Sequence, residues 1–142
     1  MNDLSDLYSA RLLELAGDIP CSRTLDQFDA EASAHSKLCG STVSVEIKVH
    51  EGCIVDFGQT VKACLLGQAS AAIVGQNIIG TPFEEFRAVA RQMRDMLQGD
   101  GAPPNGRWSD LALLMSVRPY RSRHASTLLI FDAVEKALDS LE

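Results

Sequence analysis

Four cysteines, at positions 21, 39, 53 and 64, are the residues of this 142-residue chain whose type most directly offers chemistry. Thiolate is the nucleophilic and metal-binding form of cysteine, so the question is which of the four sits where a thiolate is favoured and reachable. Cys39 lies in Leu38-Cys39-Gly40-Ser41, where the glycine frees the backbone and leaves the thiol at a loop tip just before a strand. Cys64 comes where a strand ends and a small-residue helix begins, and the dipole and free amides of a helix N-terminus favour thiolate over thiol. Cys53 alternates with Val55 and Phe57 and reads as structural, and Cys21, in a polar stretch, reads as incidental. A free cysteine is often only a small buried apolar side chain, and that alternative stands beside the chemical one for each. No C-x-x-C pair occurs, so the zinc-ribbon and thioredoxin signatures are absent and any metal site must be assembled from residues distant in sequence.

The elements that must position these thiols are legible from periodicity. Leu4, Leu7, Tyr8, Leu12, Leu13 and Leu15 predict a helix over about 3–16, capped by Asn2 or Asp3 and stopped at Gly17. Val43, Val45, Ile47 and Val49 alternate with polar residues, Glu51-Gly52 reads as a turn, and Cys53, Val55 and Phe57 alternate again. This predicts an antiparallel hairpin of 42–50 and 53–61, with DAEASAHS before Cys39 able to add a third strand. LLGQASAAIVGQNIIG is too apolar to lie on the surface and predicts a buried central helix packed closely against the sheet. Thr81-Pro82-Phe83-Glu84 has the form of a capping box opening a helix that runs to about Leu97. GDGAPPNG is a loop; Ser109 is expected to cap a short apolar helix through Met115, with Trp108 in packing; VRPYRSRH is a basic loop. A C-terminal amphipathic helix is expected to begin between Ser122 and Ser126. Strands first and helices afterwards imply one α+β domain over 1–142, a small antiparallel sheet of about three strands covered by about five helices.

Composition excludes several classes. A net charge of -6 opposes general affinity for nucleic acid, which needs a basic face. The first residues mix acids with apolar side chains rather than forming a secretory leader, and no run approaches ~18 apolar residues, so no membrane span and a cytoplasmic location are expected.

Cys39-Gly40, the hairpin, Cys64 with LGQASAA and the ending RHASTLLIFDAVEKAL together resemble the IscU, SufU and NifU N-terminal scaffold family over nearly the whole chain. LYSARLLELA in the first helix, EGCIVDFGQTVKAC and the M-x-x-G segment within DMLQGDG extend the resemblance. In that family three cysteines and one aspartate form the site. The resemblance places Cys39 and Cys64 at two of the four positions, Ser41 at the aspartate and Ser126 at the third cysteine. A hydroxyl is a harder donor than thiolate and far less acidic, so two serines do not simply replace the missing ligands. Imidazole ligates iron and zinc, which makes His124 the candidate third ligand; its other reading is a solvated or capping histidine. His35 and His50 rank lower, one in a strand and one beside a turn.

The family implies a non-enzymatic scaffold. A cysteine desulfurase would deliver sulfur, iron would join, and a transient [2Fe-2S] cluster would form on Cys39 and Cys64 before passing to recipient proteins, with zinc as another occupant. The family's Leu-Pro-Pro-Val-Lys type chaperone segment is not matched by SVRPYRSR, whose arginines read either as an attraction site for an acidic partner or as solvated surface. Two other classes fit the same residues: a thiol redox enzyme in which Cys39 and Cys64 attack and resolve peroxide, and a cluster-free binding module. The sequence leaves the oligomeric state open.

Overall fold

A computed structural model describes residues 9–37 and 40–142. The first helix, α1, is described over Ala10–Gly17, with Ser9 accepting the Leu12 amide at its N-cap; the cap expected at Asn2 or Asp3 lies outside the described residues. Three strands follow, β1 (Ala30–His35), β2 (Thr42–His50) and β3 (Cys53–Lys62). They pair antiparallel in chain order, and a two-residue β4 (Thr81–Pro82) adds to the far edge of β3. Val43, Val45 and Ile47 face inward with Phe57 and are fully buried or nearly so, as the alternation requires. The opposite face carries polar rows in register, Ser33–Ser44–Thr60 and His35–Thr42–Lys62. Lys136 covers part of the β1 edge by donating to the Ser33 carbonyl at 3.3 Å.

The helices α2 (Leu65–Asn77), α3 (Phe83–Gln98) and α4 (His124–Asp139) stack behind the sheet. Between α3 and α4 runs a 3-10 stretch, Gly106–Val117, and a short 3-10 turn, Arg121–Arg123, leads into α4. The element lying across β1 and β2 is α4, while α2 is wrapped by α1, α4 and the 3-10 stretch. The apolar helix is therefore central, as expected, but its main neighbours are helices. Phe86 on α3 stacks on Phe131 of α4 at 5.8 Å between centroids and meets the edge of Trp108 at 6.1 Å. Two arginines tie α3 to α4 on the surface: Arg87 to Asp139 at 2.9 Å and Arg94 to Glu135 at 2.6 Å.

The mixed α+β architecture agrees with the sequence, and three details differ. The sheet has four strands rather than about three. Thr81 is not an N-cap: it pairs with Ile54, its hydroxyl donates to the Asn77 carbonyl at 2.9 Å, and the helix starts at Phe83 after Pro82. The unpaired start of β3 takes up the backbone that the capping pattern would have given to the helix. Nor does Ser109 cap its helix; the segment begins at Gly106 behind Asn105 and follows 3-10 geometry, anchored by the buried Trp108, whose indole N–H reaches Glu85 at 2.8 Å. Among the described residues no helix is long and apolar enough to cross a membrane.

Candidate functional site at the Cys64 helix start

The β1–β2 connection folds back on itself, with the Gly40 amide donating to Ser36 and the Ser36 amide to the Ser41 carbonyl, both at 2.9 Å. Gly40 takes φ +71°, a conformation that costs a side-chain-bearing residue energy. Cys39, expected at this loop tip, lies outside the described residues. Ser41, just beyond, is 2% exposed. Its hydroxyl oxygen accepts the Cys64 amide N–H at 3.4 Å.

Cys64 is the residue at the N-cap of α2, with extended backbone (φ -67°, ψ 172°) and its carbonyl accepting the Gln68 amide at 3.0 Å. Its thiol is half-buried and donates to Ser126 Oγ at 3.4 Å. The Ser126 hydroxyl in turn donates to the Arg123 carbonyl at 3.2 Å, so its lone pairs are left to receive the thiol proton. Ser126 can come this close because residue 67 has no side chain: a Cβ there would lie 3.1 Å from the Ser126 carbonyl oxygen and 2.8 Å from Ala63 Cβ. One turn deeper the same two helices are clasped again, Ser70 Oγ donating to the Thr127 carbonyl at 2.8 Å.

The fold thus brings together Ser41, Cys64 and Ser126, one from the loop, one from a helix start and one from the facing helix. It does not bring His124 to them. His124 and Ser126 are separated by about 200° around α4, and the imidazole Nε2 lies 3.1 Å from the Val117 carbonyl and 2.9 Å from that of Arg118. Carbonyls only accept, so Nε2 carries the proton, and the ring lines a cleft with Leu97–Asp100, Arg118 and Arg121. The physical reason is helical phase: the residue two positions from one that faces a neighbour faces away from it. His35 sits at the outer end of β1, its Nδ1 3.2 Å from Thr42 Oγ1, and His50 is exposed beside Glu51. Among the described residues no three His, Cys, Asp or Glu side chains form a group able to hold a metal.

Two roles escaped the sequence reading. Cys21 is more than incidental: it takes φ +61°, accepts the Gln59 amide through its carbonyl at 2.9 Å, and its thiol reaches the Gly75 carbonyl at 3.8 Å. Burial pushes that thiol up from its ordinary pKa, with Arg23 opposing the rise and Asp56 adding to it. Arg118, read as part of a basic loop, donates from Nε to the Met96 carbonyl at 2.6 Å and from its terminal nitrogen to that of Gly101 at 3.0 Å, holding the end of α3. No local signal marked it, because the 3-10 stretch Gly106–Val117 separates Arg118 from the loop after α3.

No protein-family model matches the sequence. The fold superimposes on the crystal structure of a nitrogen-fixing NifU-like protein (N-terminal) from Brucella abortus with a TM-score of 0.94 and 46% identity, covering 96% of this chain and 94% of that one. The chain belongs to the IscU/NifU/SufU scaffold family. Curated relatives are more distant: the iron-sulfur cluster assembly scaffold protein IscU of Thermotoga maritima is 23% identical over 135 residues, covering 95% of this chain and 94% of that protein. The IscU of Streptococcus pyogenes serotype M1 is 25% identical over 138 residues, covering 97% and 86%. A putative SufU of Fervidobacterium islandicum AW-1 shares the fold at a TM-score of 0.87 with 18% identity over 96% of this chain and 99% of that one.

Proposed function

We propose that this chain is a non-enzymatic iron-sulfur assembly scaffold that handles sulfur and iron at Cys39 and Cys64. The observation that carries the reading is the convergence of Ser41, Cys64 and Ser126. They are three of the four positions at which the family resemblance puts ligands, and they are neighbours in a fold shared at 46% identity with a NifU-like protein. The sulfur step needs one thiolate. That thiolate attacks the outer sulfur of a persulfide on a cysteine desulfurase; the donor's S–S bond breaks, the donor leaves as thiolate, and a persulfide remains on this chain. An external reductant then supplies two electrons per persulfide sulfur to give sulfide, iron joins through the two cysteine sulfurs, and the assembled [2Fe-2S] unit passes to recipient proteins. Zinc, which takes the same soft donors, is the alternative occupant. Ser41 and Ser126 flank the site as hydroxyls where the family has an anionic oxygen and a third thiolate, which weakens the hold on any metal and suits transient loading.

Anaerobic reconstitution with ferric iron and sulfide tests this. Visible absorption from bound cluster, with iron and acid-labile sulfide retained after desalting, is expected, and both are expected to fall away in Cys39→Ser and Cys64→Ser. A colourless protein that retains neither iron nor zinc would refute the reading. The loss of two ligands gives one specific footing to a second possibility, a cluster-free module that keeps the family's docking surface; association with a desulfurase in the absence of any metal loading would identify it.

A further inference from the structure

The cleft that receives the His124 ring lies on a different face of α4 from Cys64, and its two sides carry opposite charge. One side is the end of α3. Leu97 and Gln98 line it, and among the described residues their carbonyls accept no backbone N–H, which leaves a negative helix end unsatisfied. Asp100, exposed, follows on the same side. The other side supplies cations. Arg121 is exposed, and no hydrogen bond or ion pair holds it among the described residues. Arg118 spends Nε and one terminal nitrogen on the Met96 and Gly101 carbonyls, leaving its other terminal nitrogen to the cleft. Between them His124 is only 8% exposed. With its proton on Nε2 and directed at two carbonyls, Nδ1 is an acceptor that no group among the described residues satisfies, and it opens to the cleft rather than being sealed in the packing. A nearly buried acceptor without a partner marks a place for a ligand's donor.

We infer that this cleft binds a free α-amino acid, its ammonium group toward Asp100, the α3 end and His124 Nδ1, and its carboxylate toward Arg121 and Arg118. A simple anion would meet the Asp100 carboxylate and the Nδ1 lone pair, and a simple cation would meet two guanidinium groups; a zwitterion satisfies both sides at once. The cleft encloses about 710 Å³, within the range that holds small ligands. Its apolar lining is Leu97 and Ala125, which suits a small side chain. One turn joins the cleft to the thiol. Arg121–Arg123 leads into α4, and the Arg123 carbonyl accepts the hydroxyls of Ser126 and Thr127 at 3.2 and 2.8 Å. A ligand that fixes Arg121 therefore steadies the carbonyl on which the Ser126–Cys64 hydrogen bond rests, and Cys64 becomes less reactive.

The experiment is an amide NMR titration of the full, metal-free chain with L-alanine, and in separate arms with acetate, methylammonium and inorganic phosphate. L-alanine is expected to give saturable shifts at Gly99, Asp100, Arg121 and Ala125. Each of the other three lacks one charged end and is expected to bind at least about tenfold more weakly. Arg121→Ala and Asp100→Asn change exposed side chains, so both are expected to fold, and each is expected to weaken L-alanine by the same factor. Lys48→Ala, which removes an exposed cation from the sheet, is expected to leave binding unchanged. Native-state alkylation of Cys64, read by mass spectrometry, is expected to slow at saturating L-alanine in the wild type and not in Arg121→Ala. No saturable shift from L-alanine, or acetate or phosphate bound as tightly as L-alanine, overturns the amino-acid site. So does Arg121→Ala or Asp100→Asn protein that binds L-alanine as the wild type does. Saturable binding in the cleft with unchanged alkylation overturns the link to Cys64.

Discussion

Gly67 is the position at which packing and chemistry are tied most closely, and Gly67→Ala tests the tie. The new methyl would sit 2.8 Å from Ala63 Cβ, about 1 Å inside ordinary carbon contact, and 3.1 Å from the Ser126 carbonyl oxygen. Neither neighbour is the far end of a flexible side chain, so Ala63–Cys64 or the start of α4 must move. Overpacking of this kind costs about 1–3 kcal/mol. Alanine recovers up to ~1 kcal/mol of helix propensity at the same position. The net is a destabilisation of up to about 2 kcal/mol, which at a urea slope of ~2 kcal/mol per M lowers the unfolding midpoint by up to about 1 M. Gly17→Ala is the control, since nothing lies within 4 Å of its added Cβ and it is the last residue of α1; its midpoint is expected to hold or to rise by up to ~0.5 M. The displacement also pulls Ser126 from the Cys64 thiol, so alkylation of Cys64 under native conditions is expected to speed up in Gly67→Ala alone. A Gly67→Ala protein as stable as wild type, with unchanged Cys64 alkylation, would refute the close α2–α4 approach and the hydrogen bond that depends on it.

Two further outcomes follow from side chains that join elements. Glu85 Oε2 accepts the Trp108 indole N–H at 2.8 Å and Arg107 at 2.7 and 3.0 Å; the Trp108 bond first, then Arg107, hold its carboxyl below the ordinary glutamate range. A depressed folded pKa contributes stability that is present above the unfolded value and lost as pH falls through the folded one. Glu85→Gln is therefore expected to lower stability by about 1 kcal/mol at neutral pH, the site being partly screened by solvent, and the gap to wild type should close in acid titrations of the denaturation midpoint. Arg118→Ala removes two bonds to the carbonyls of Met96 and Gly101. A loss of about 1.5–3 kcal/mol, with faster amide exchange at the end of α3, is expected; unchanged exchange there would show that Arg118 does not hold that turn.

Legibility followed the range of the interaction. The hairpin of 42–50 and 53–61 was readable because one buried face imposes alternation on every residue of it, and the structure places β2 and β3 within one residue of those bounds. The Thr81-Pro82-Phe83-Glu84 pattern misled for the opposite reason. A capping box is a local preference worth about 1 kcal/mol, and here it competed with two ladder positions on β3, against Cys53 and Ile54, that nothing near residue 81 announces. The role of Arg118 was hidden in the same way, since a run of arginines reads as solvated until the carbonyls of a helix end some twenty residues earlier are known to face it.

The site was legible in its positions and not in its directions. Ser41 and Ser126 could be aligned to ligand positions without knowing that both would touch Cys64, one at its amide and one at its thiol. His124 was attractive because it lies two residues from Ser126 and carries a good ligand. That same spacing takes it out of the site, because two steps along a helix turn a side chain to a different face. Once His124 is turned away, the hydroxyls that remain are poor ligands, and the Ser126 hydroxyl is the poorer for being already spent on the Arg123 carbonyl and on the thiol it would have to join in binding metal.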